Sequence, residues 1–206
     1  MGVTVGIFGG TFDPPHLGHL AAAQEALYAC GLARVLFAPN ARNPLKHGAP
    51  SSGAEHRLAM TELAVRDNPK FEVTRADVDR GGPSYTVDLL AGLRAALGPG
   101  EDLAFIAGMD VLHELPRWRE PLRIFDLARL VVISRPGQLS LAPTALEEHL
   151  PGASARVTIV QTLGIAVSST ELRERVATGK PIRYLVPDAV AAYIAEHRLY
   201  RRGQPP

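Results

Sequence analysis

The sequence predicts an α/β fold, a Rossmann-like, doubly wound and mostly parallel sheet with a small helical part at the C-terminal end. Three observations carry that expectation. Apolar, β-branched runs alternate with Ala- and Leu-rich stretches along the chain, and such alternation implies parallel strands covered by helices on both faces. The first run ends in Gly9-Gly10, ahead of a helical stretch, which is the composition of a strand-to-helix turn that brings bare backbone to a ligand. Finally, 206 residues with 46% apolar content are enough to bury one sizeable core. Residues 1–206 are therefore expected to form a single domain, with 166–206 as its mainly helical C-terminal part.

The elements follow in order. Val3 to Phe8 is short, apolar and β-branched, and reads as a buried first strand. Leu17 to Cys30, closed by Gly31, reads as a helix with a glycine stop. Arg34 to Ala38 reads as a second strand halted by Pro39, so the chain opens β-α-β. Further helices are expected at Ala54 to Arg66, Thr86 to Leu97, Ser169 to Thr178 and Asp188 to His197. Further strands are expected at Phe71 to Thr74, Leu103 to Ala107, Leu130 to Ile133 and Val157 to Val160. Two longer stretches, Asn40 to Gly53 and Asp77 to Tyr85, interrupt the alternation and read as substrate loops at strand ends. There is no internal repeat.

Composition narrows the function classes. A formal net charge of +1 excludes a strongly polyanion-seeking surface, so composition gives nucleic-acid binding no support. The single cysteine, Cys30, cannot form an internal disulfide, no basic and apolar leader follows Met1, and no apolar run is long enough to span a membrane. A cytoplasmic protein without membrane partners is expected; the sequence leaves homo-oligomerisation open. The lysines are Lys46, Lys70 and Lys180 alone, and coding bias and thermal preference explain that arginine excess equally well.

The chemistry concentrates in Gly9 to Leu20, GGTFDPPHLGHL. Gly9 and Gly10 allow close backbone approach, and the unbonded N–H groups of a helix start favour an anion, most naturally a phosphate. His16 and His19 stand three residues apart, so their rings project from one side of a first turn and can donate to phosphate oxygens. Two rings could also bind a metal, but no third ligand stands nearby. A second phosphate-directed helix start lies near the other end, at VSSTELR from Val167 to Arg173. There Ser169 or Thr170 can cap the helix, and Arg173, one turn along, offers a bidentate fork to phosphate oxygens. Trp118, the only tryptophan, lies in a segment broken by Pro116 and Pro121, and is either an exposed stacking surface or a core anchor. Asp110 reads equally as a helix cap after Gly108.

These motifs resemble those of the nucleotidylyltransferases. His16-Leu17-Gly18-His19 matches their H-x-G-H signature, and Ser168-Ser169-Thr170-Glu171-Leu172-Arg173 matches their late Ser-Ser-Thr-x-x-Arg segment. The resemblance runs along nearly the whole chain and is strongest to the bacterial nicotinate-nucleotide adenylyltransferase family. It rests further on PNARNPLK (Pro39 to Lys46), GGPSYTVDLL (Gly81 to Leu90), GMDVLHELPRW (Gly108 to Trp118) and VISRPG (Val132 to Gly137). One departure is visible: that family usually has histidine before the lysine of its first loop, whereas Leu45 stands there and His47 comes one residue late.

The resemblance implies adenylyl transfer from ATP to nicotinate mononucleotide, with Mg²⁺ arriving on the ATP. It assigns His16, His19 and Arg173 to catalysis. Gly9, Gly10, Thr11, Phe12, Gly108, Asp110, Ser168, Ser169 and Thr170 would join them in binding ATP. Asn40, Lys46, Tyr85, Thr86, Trp118 and Arg135 would hold the mononucleotide, with Trp118 stacked on the nicotinate ring. No protein-held metal is implied. A sister enzyme acting on nicotinamide mononucleotide or phosphopantetheine, or a nucleotide sensor without catalysis, remain the alternatives.

Overall fold

The computed structural model describes residues 3–42, 52–136 and 142–201. Six parallel strands form one sheet in the order β3-β2-β1-β4-β5-β6. They are β1 (Val3–Gly10), β2 (Arg34–Pro39), β3 (Phe71–Val73), β4 (Glu101–Gly108), β5 (Ala128–Ser134) and β6 (Val157–Gln161). The longer helices are α1 (Leu17–Ala29), α2 (Ala54–Val65), α4 (Thr86–Leu97), α7 (Ser169–Ala177) and α8 (Asp188–Glu196); the shorter ones are α3 (Ala76–Arg80), α5 (Val111–Glu114) and α6 (Pro121–Leu127). The winding reverses between β1 and β4, and that reversal opens a crevice at the carboxyl ends of the central strands, where ligands of open parallel sheets bind. The α/β, Rossmann-like expectation therefore holds.

Side-chain alternation along the strands feeds two cores. On one face Val5, Ile7, Phe105, Leu130 and Val132 pack with Leu90 of α4 and Ile124 of α6. On the other, Phe8, Val35, Phe37, Ile106 and Val131 meet the small residues Ala22, Ala23 and Ala26 of α1. Alanine lets that helix lie close to the sheet, and Gly6 completes the fit: a Cβ there would come within 2.8 Å of Leu32 and 2.9 Å of Ile106. A third cluster joins α2 to the C-terminal helices through Met60, Leu172, Ile182, Val190 and Ile194.

Most predicted elements recur within a residue or two. Gly31 adopts φ +58°, the left-handed stop that glycine takes without Cβ strain. Other expectations are corrected. The loop expected from Asp77 begins inside α3, and the stretch between β4 and β5 holds α5, α6 and a 3₁₀ turn at Leu115–Arg117. These helices are too short to show a periodic pattern, and Pro116 and Pro121 disguise them. Pro39 ends β2 from inside it, because the next donor, Asn40 N–H, still bonds Gly10 O at 2.9 Å.

Ile106 is fully buried at the centre of the α1 face. Ile106→Ala should cost about 2–5 kcal/mol of stability, because the close-packed helix and sheet cannot collapse around the void. Urea unfolding measures it, and a loss below about 1 kcal/mol would contradict this packing.

Candidate active site

At the crevice lies a pocket of about 460 Å³. Gly9, Gly10 and Thr11 line it from the end of β1, Asn40 from the end of β2, and Gly108 and Asp110 from the end of β4. Tyr85 and Thr86, at the start of α4, and Trp118 complete the wall with Arg117 and Arg119. Arg117 and Arg119 were not anticipated; the fold brings the others, all expected from the sequence, to one edge.

The turn between β1 and α1 carries the histidines. His16 is not the second ring on a helical face but the extended residue capping α1, with φ −146° and ψ 170°. Its backbone N–H donates to Nδ1 of His19 at 3.2 Å. Because Nδ1 accepts, the neutral form of His19 carries its proton on Nε2. The two rings stack at 3.6 Å with 23° between planes. Gly18 makes room for this: a Cβ on it would lie 3.0 Å from the His16 ring and 3.3 Å from the carbonyl of Ile165. Phe12 supports His19 edge-on at 5.1 Å while its own ring is buried against Phe8 and Phe37. The Phe12 ring is therefore part of the core rather than of the pocket lining.

His16 is 2% exposed. Burial, reinforced by the nearby positive charge of Arg135, lowers its pKa to about 4. Sequence alone left either histidine free to carry charge; burial makes His16 neutral near pH 7. Its buried Nδ1 has no hydrogen-bond partner among the described residues.

The start of α7 lands beside the turn between β1 and α1. Ser168, rather than Ser169 or Thr170, caps α7, its Oγ accepting from Glu171 N–H at 3.1 Å. Ser169 is thereby released to donate from Oγ to Pro14 O at 2.9 Å. Arg173 donates to Asp13 O at 2.8 Å and to Thr170 Oγ1 at 3.2 Å. Neither oxygen is charged, so these bonds aim the guanidinium without neutralising it.

On the opposite wall Trp118 is half-buried, its indole edge-to-face with Phe105 at 6.0 Å. It is both core anchor and pocket wall, and its buried Nε1 has no hydrogen-bond partner among the described residues. The guanidinium of Arg119 lies over the Tyr85 ring at 5.0 Å and donates to Asp88 at 3.2 Å. Asn40 Nδ2 bonds Thr11 Oγ1 at 3.4 Å, joining the β1 and β2 ends. Asp110 precedes α5 but its side chain makes no cap bond, and it is exposed on the pocket wall. Arg135 is exposed after β5, and its charge is felt at His16. Lys46, with Leu45 and His47, lies outside the described residues.

Sequence reasoning missed the buried scaffold beneath these groups. Arg57 is 1% exposed, and its guanidinium donates to Thr11 O at 3.0 Å, Asn40 O at 2.6 Å, Ala41 O at 3.0 Å and Ser52 O at 3.3 Å. Burial pulls its pKa down, opposed by the charges of Asp13 and Asp77. Asp13, 2% exposed, accepts the hydroxyls of Ser52 at 2.5 Å and Tyr200 at 2.7 Å on one carboxylate oxygen. The overlooked signal was an arginine among the apolar positions of the helix at 54–65, where buried charge demands partners.

The parallel sheet, its central crevice and the two helix starts beside it belong to a nucleotidyl-transferring enzyme. A family model described as cytidylyltransferase-like matches residues 7–175. A probable nicotinate-nucleotide adenylyltransferase of Roseiflexus sp. is 52% identical over 198 residues, covering 96% of this chain and 98% of the relative. One of Symbiobacterium thermophilum is 48% identical over 201 residues, covering 97% and 96%. The chain belongs to the nicotinate-nucleotide adenylyltransferase family within that class. Among solved structures, the nicotinic acid mononucleotide adenylyltransferase of Plasmodium falciparum complexed with NaAD shares the fold, with a TM-score of 0.77 at 18% identity over 96% of this chain and 97% of that one.

His16 supplies a pH test. Its folded-state pKa of about 4 lies below the unfolded value of 6.5, so between those values the unfolded chain holds a proton that the native one refuses. Stability therefore falls as pH drops from about 6.5 towards 4, by up to about 3 kcal/mol from this residue. Denaturation midpoints measured across that range should fall less steeply for His16→Gln than for the parent; an identical slope would contradict the buried neutral ring.

Proposed function

We propose that the enzyme joins ATP to nicotinate mononucleotide, forming nicotinate adenine dinucleotide and pyrophosphate in NAD biosynthesis. The observation that carries this reading is the meeting of two distant phosphate-directed segments: Arg173 and Ser169 on α7 bond the backbone of Asp13 and Pro14 in the turn leading to His16 and His19. The acceptor's phosphate oxygen attacks the α-phosphorus, and the bond from that phosphorus to the bridging oxygen breaks, releasing pyrophosphate. The attacking phosphate is already anionic near neutral pH, so no general base is required. What the protein supplies is alignment and charge stabilisation.

Each group then has a role. Nε2–H of His19 donates to the oxygens of the transferring phosphoryl group, with neutral His16 stacked behind it and able to gain a proton as the triphosphate's charge arrives. Arg173, with Ser168, Ser169 and Thr170, takes the departing β- and γ-phosphates. Gly9, Gly10 and the backbone of Thr11 and Phe12 lie against the nucleotide, with Gly108 on its other side. Mg²⁺ carried by ATP supplies further charge neutralisation. The exposed carboxylate of Asp110 suits hydrogen bonds from the ion's water shell.

The acceptor fits the opposite wall. The N–H groups of Thr86 and Val87, in the first turn of α4, have no helical carbonyl to bond and face a carboxylate favourably. Trp118 stacks on the pyridine ring, Asn40 and Tyr85 flank it, and Lys46 and Arg135 serve the mononucleotide phosphate. That preference for an anionic ring favours nicotinate over nicotinamide mononucleotide. Phosphopantetheine has no aromatic ring to engage Trp118.

The direct assay offers ATP and Mg²⁺ with nicotinate mononucleotide, nicotinamide mononucleotide or phosphopantetheine and measures pyrophosphate. Fastest release with the first is expected; release with phosphopantetheine alone indicates the sister activity, and none with any acceptor indicates a sensor. His19→Ala should lower kcat by about 10²–10³-fold, the loss of about 2.7–4 kcal/mol of transition-state stabilisation. Wild-type turnover would sink that assignment. Trp118→Ala should chiefly raise the mononucleotide KM, since stacking serves ground and transition states alike; steady-state kinetics with an unchanged KM would leave the indole a core residue only.

A further inference from the structure

The C-terminal helices hold the phosphate turn through hydrogen bonds spread along its length. Leu17 N–H bonds Leu185 O at 3.0 Å, Ser169 Oγ bonds Pro14 O at 2.9 Å, and Arg173 bonds Asp13 O at 2.8 Å. Tyr200, beyond the end of α8, adds a side-chain to side-chain link from its hydroxyl to Asp13 Oδ1 at 2.7 Å. Asp13 is therefore gripped twice from the same part of the chain, through its carbonyl by Arg173 and through its carboxylate by Tyr200. The hydroxyl also lies 3.8 Å from Met60 Sδ of α2, so the phenol is wedged between α2 and the turn.

The local cost of this arrangement is visible. Tyr200 adopts φ +63°, a left-handed conformation that non-glycine residues rarely take unless their surroundings dictate it. Asp13 is 2% exposed, so each donor to its carboxylate matters. Burial raises the pKa of the Tyr200 phenol, and the adjacent Asp13 charge raises it further, so the hydroxyl remains a donor at working pH.

We propose that Tyr200 is a positioning residue for adenylyl transfer: its hydroxyl fixes Asp13, and the Asp13 carbonyl in turn aims Arg173 at the departing pyrophosphate. The inference rests on the role given to Arg173 above. Tyr200 touches no substrate, so its effect falls on turnover rather than on binding of the acceptor.

The test is a double-mutant cycle on the full chain with ATP, Mg²⁺ and nicotinate mononucleotide. Tyr200→Phe keeps the ring and its packing, and a thermal melt verifies that it is folded at the assay temperature. It should lower kcat by about 5- to 20-fold with the mononucleotide KM within about twofold. Arg173→Ala should lower kcat by about a hundredfold, and adding Tyr200→Phe to it should cost nothing more. A purely structural tyrosine would instead leave kcat unchanged while lowering the melting temperature, or would cost the same factor in both backgrounds; either result overturns the proposal. If Arg173→Ala is itself without effect, the assignment of Arg173 fails first and this inference falls with it. A deficient Arg173→Ala with a fully active Tyr200→Phe overturns the inference alone.

Discussion

A carboxylate removed from water organises this molecule. Asp13 lies where β1 has ended and α1 has not begun, buried to 2% exposure, and a charge there is tolerable only if donors surround it. Ser52 approaches from the start of α2 and Tyr200 from beyond α8, while the charge of Arg57 acts from within α2. Elements distant in sequence are thereby drawn to one short turn. The turn bears His16 and His19, so the need to satisfy one buried charge also sets where those two rings stand.

Arg57 extends the same constraint across the sheet edge. Its fork gathers the carbonyls of Thr11, Asn40 and Ala41, which belong to the ends of two adjacent strands. Asp77 accepts the Ala41 N–H at 3.0 Å and pairs with Arg80. Removing one member of such a set leaves an uncompensated charge out of water, which is far costlier than the gain from the intact set. The exposed ion pairs, such as Arg75 with Glu55, are of another kind and contribute little, because solvent screens them. Rigidity beneath the pocket thus comes from buried ionic bonding, whereas the sheet itself is held by apolar packing.

What was legible in the sequence was what repeats or what chemistry spells out locally. The strand runs and the glycine after α1 set the sheet; the His16 and His19 pair and Arg173 could be placed at helix starts, because their local sequence carries the signals of such starts. Elements without periodicity, α3, α5 and α6, were not legible: a helix of a turn or two has no pattern to show. Nor was the contact between Arg173 and Asp13, 160 positions apart, since only the fold's winding brings those ends together. The cap of α7 shifted to Ser168 for the same reason: Ser169 is held by Pro14, a partner invisible from its own neighbourhood. Protonation was least legible, since nothing in the motif marks His16 as the enclosed ring whose burial lowers its pKa.

The C-terminal attachment has a consequence for the order in which the protein is built. Synthesis completes every strand of the sheet once Gln161 has been made, and both faces of its core then have their residues. Leu185, Arg173 and Tyr200 come later, and until they arrive the turn around Asp13 lacks their hydrogen bonds. A nascent chain can therefore own its scaffold and the wall around Trp118 while the turn around Asp13 remains unsupported. Because the helices that carry those bonds also bury Met60 of α2, the last bonds to this turn form together with the closing of the third core.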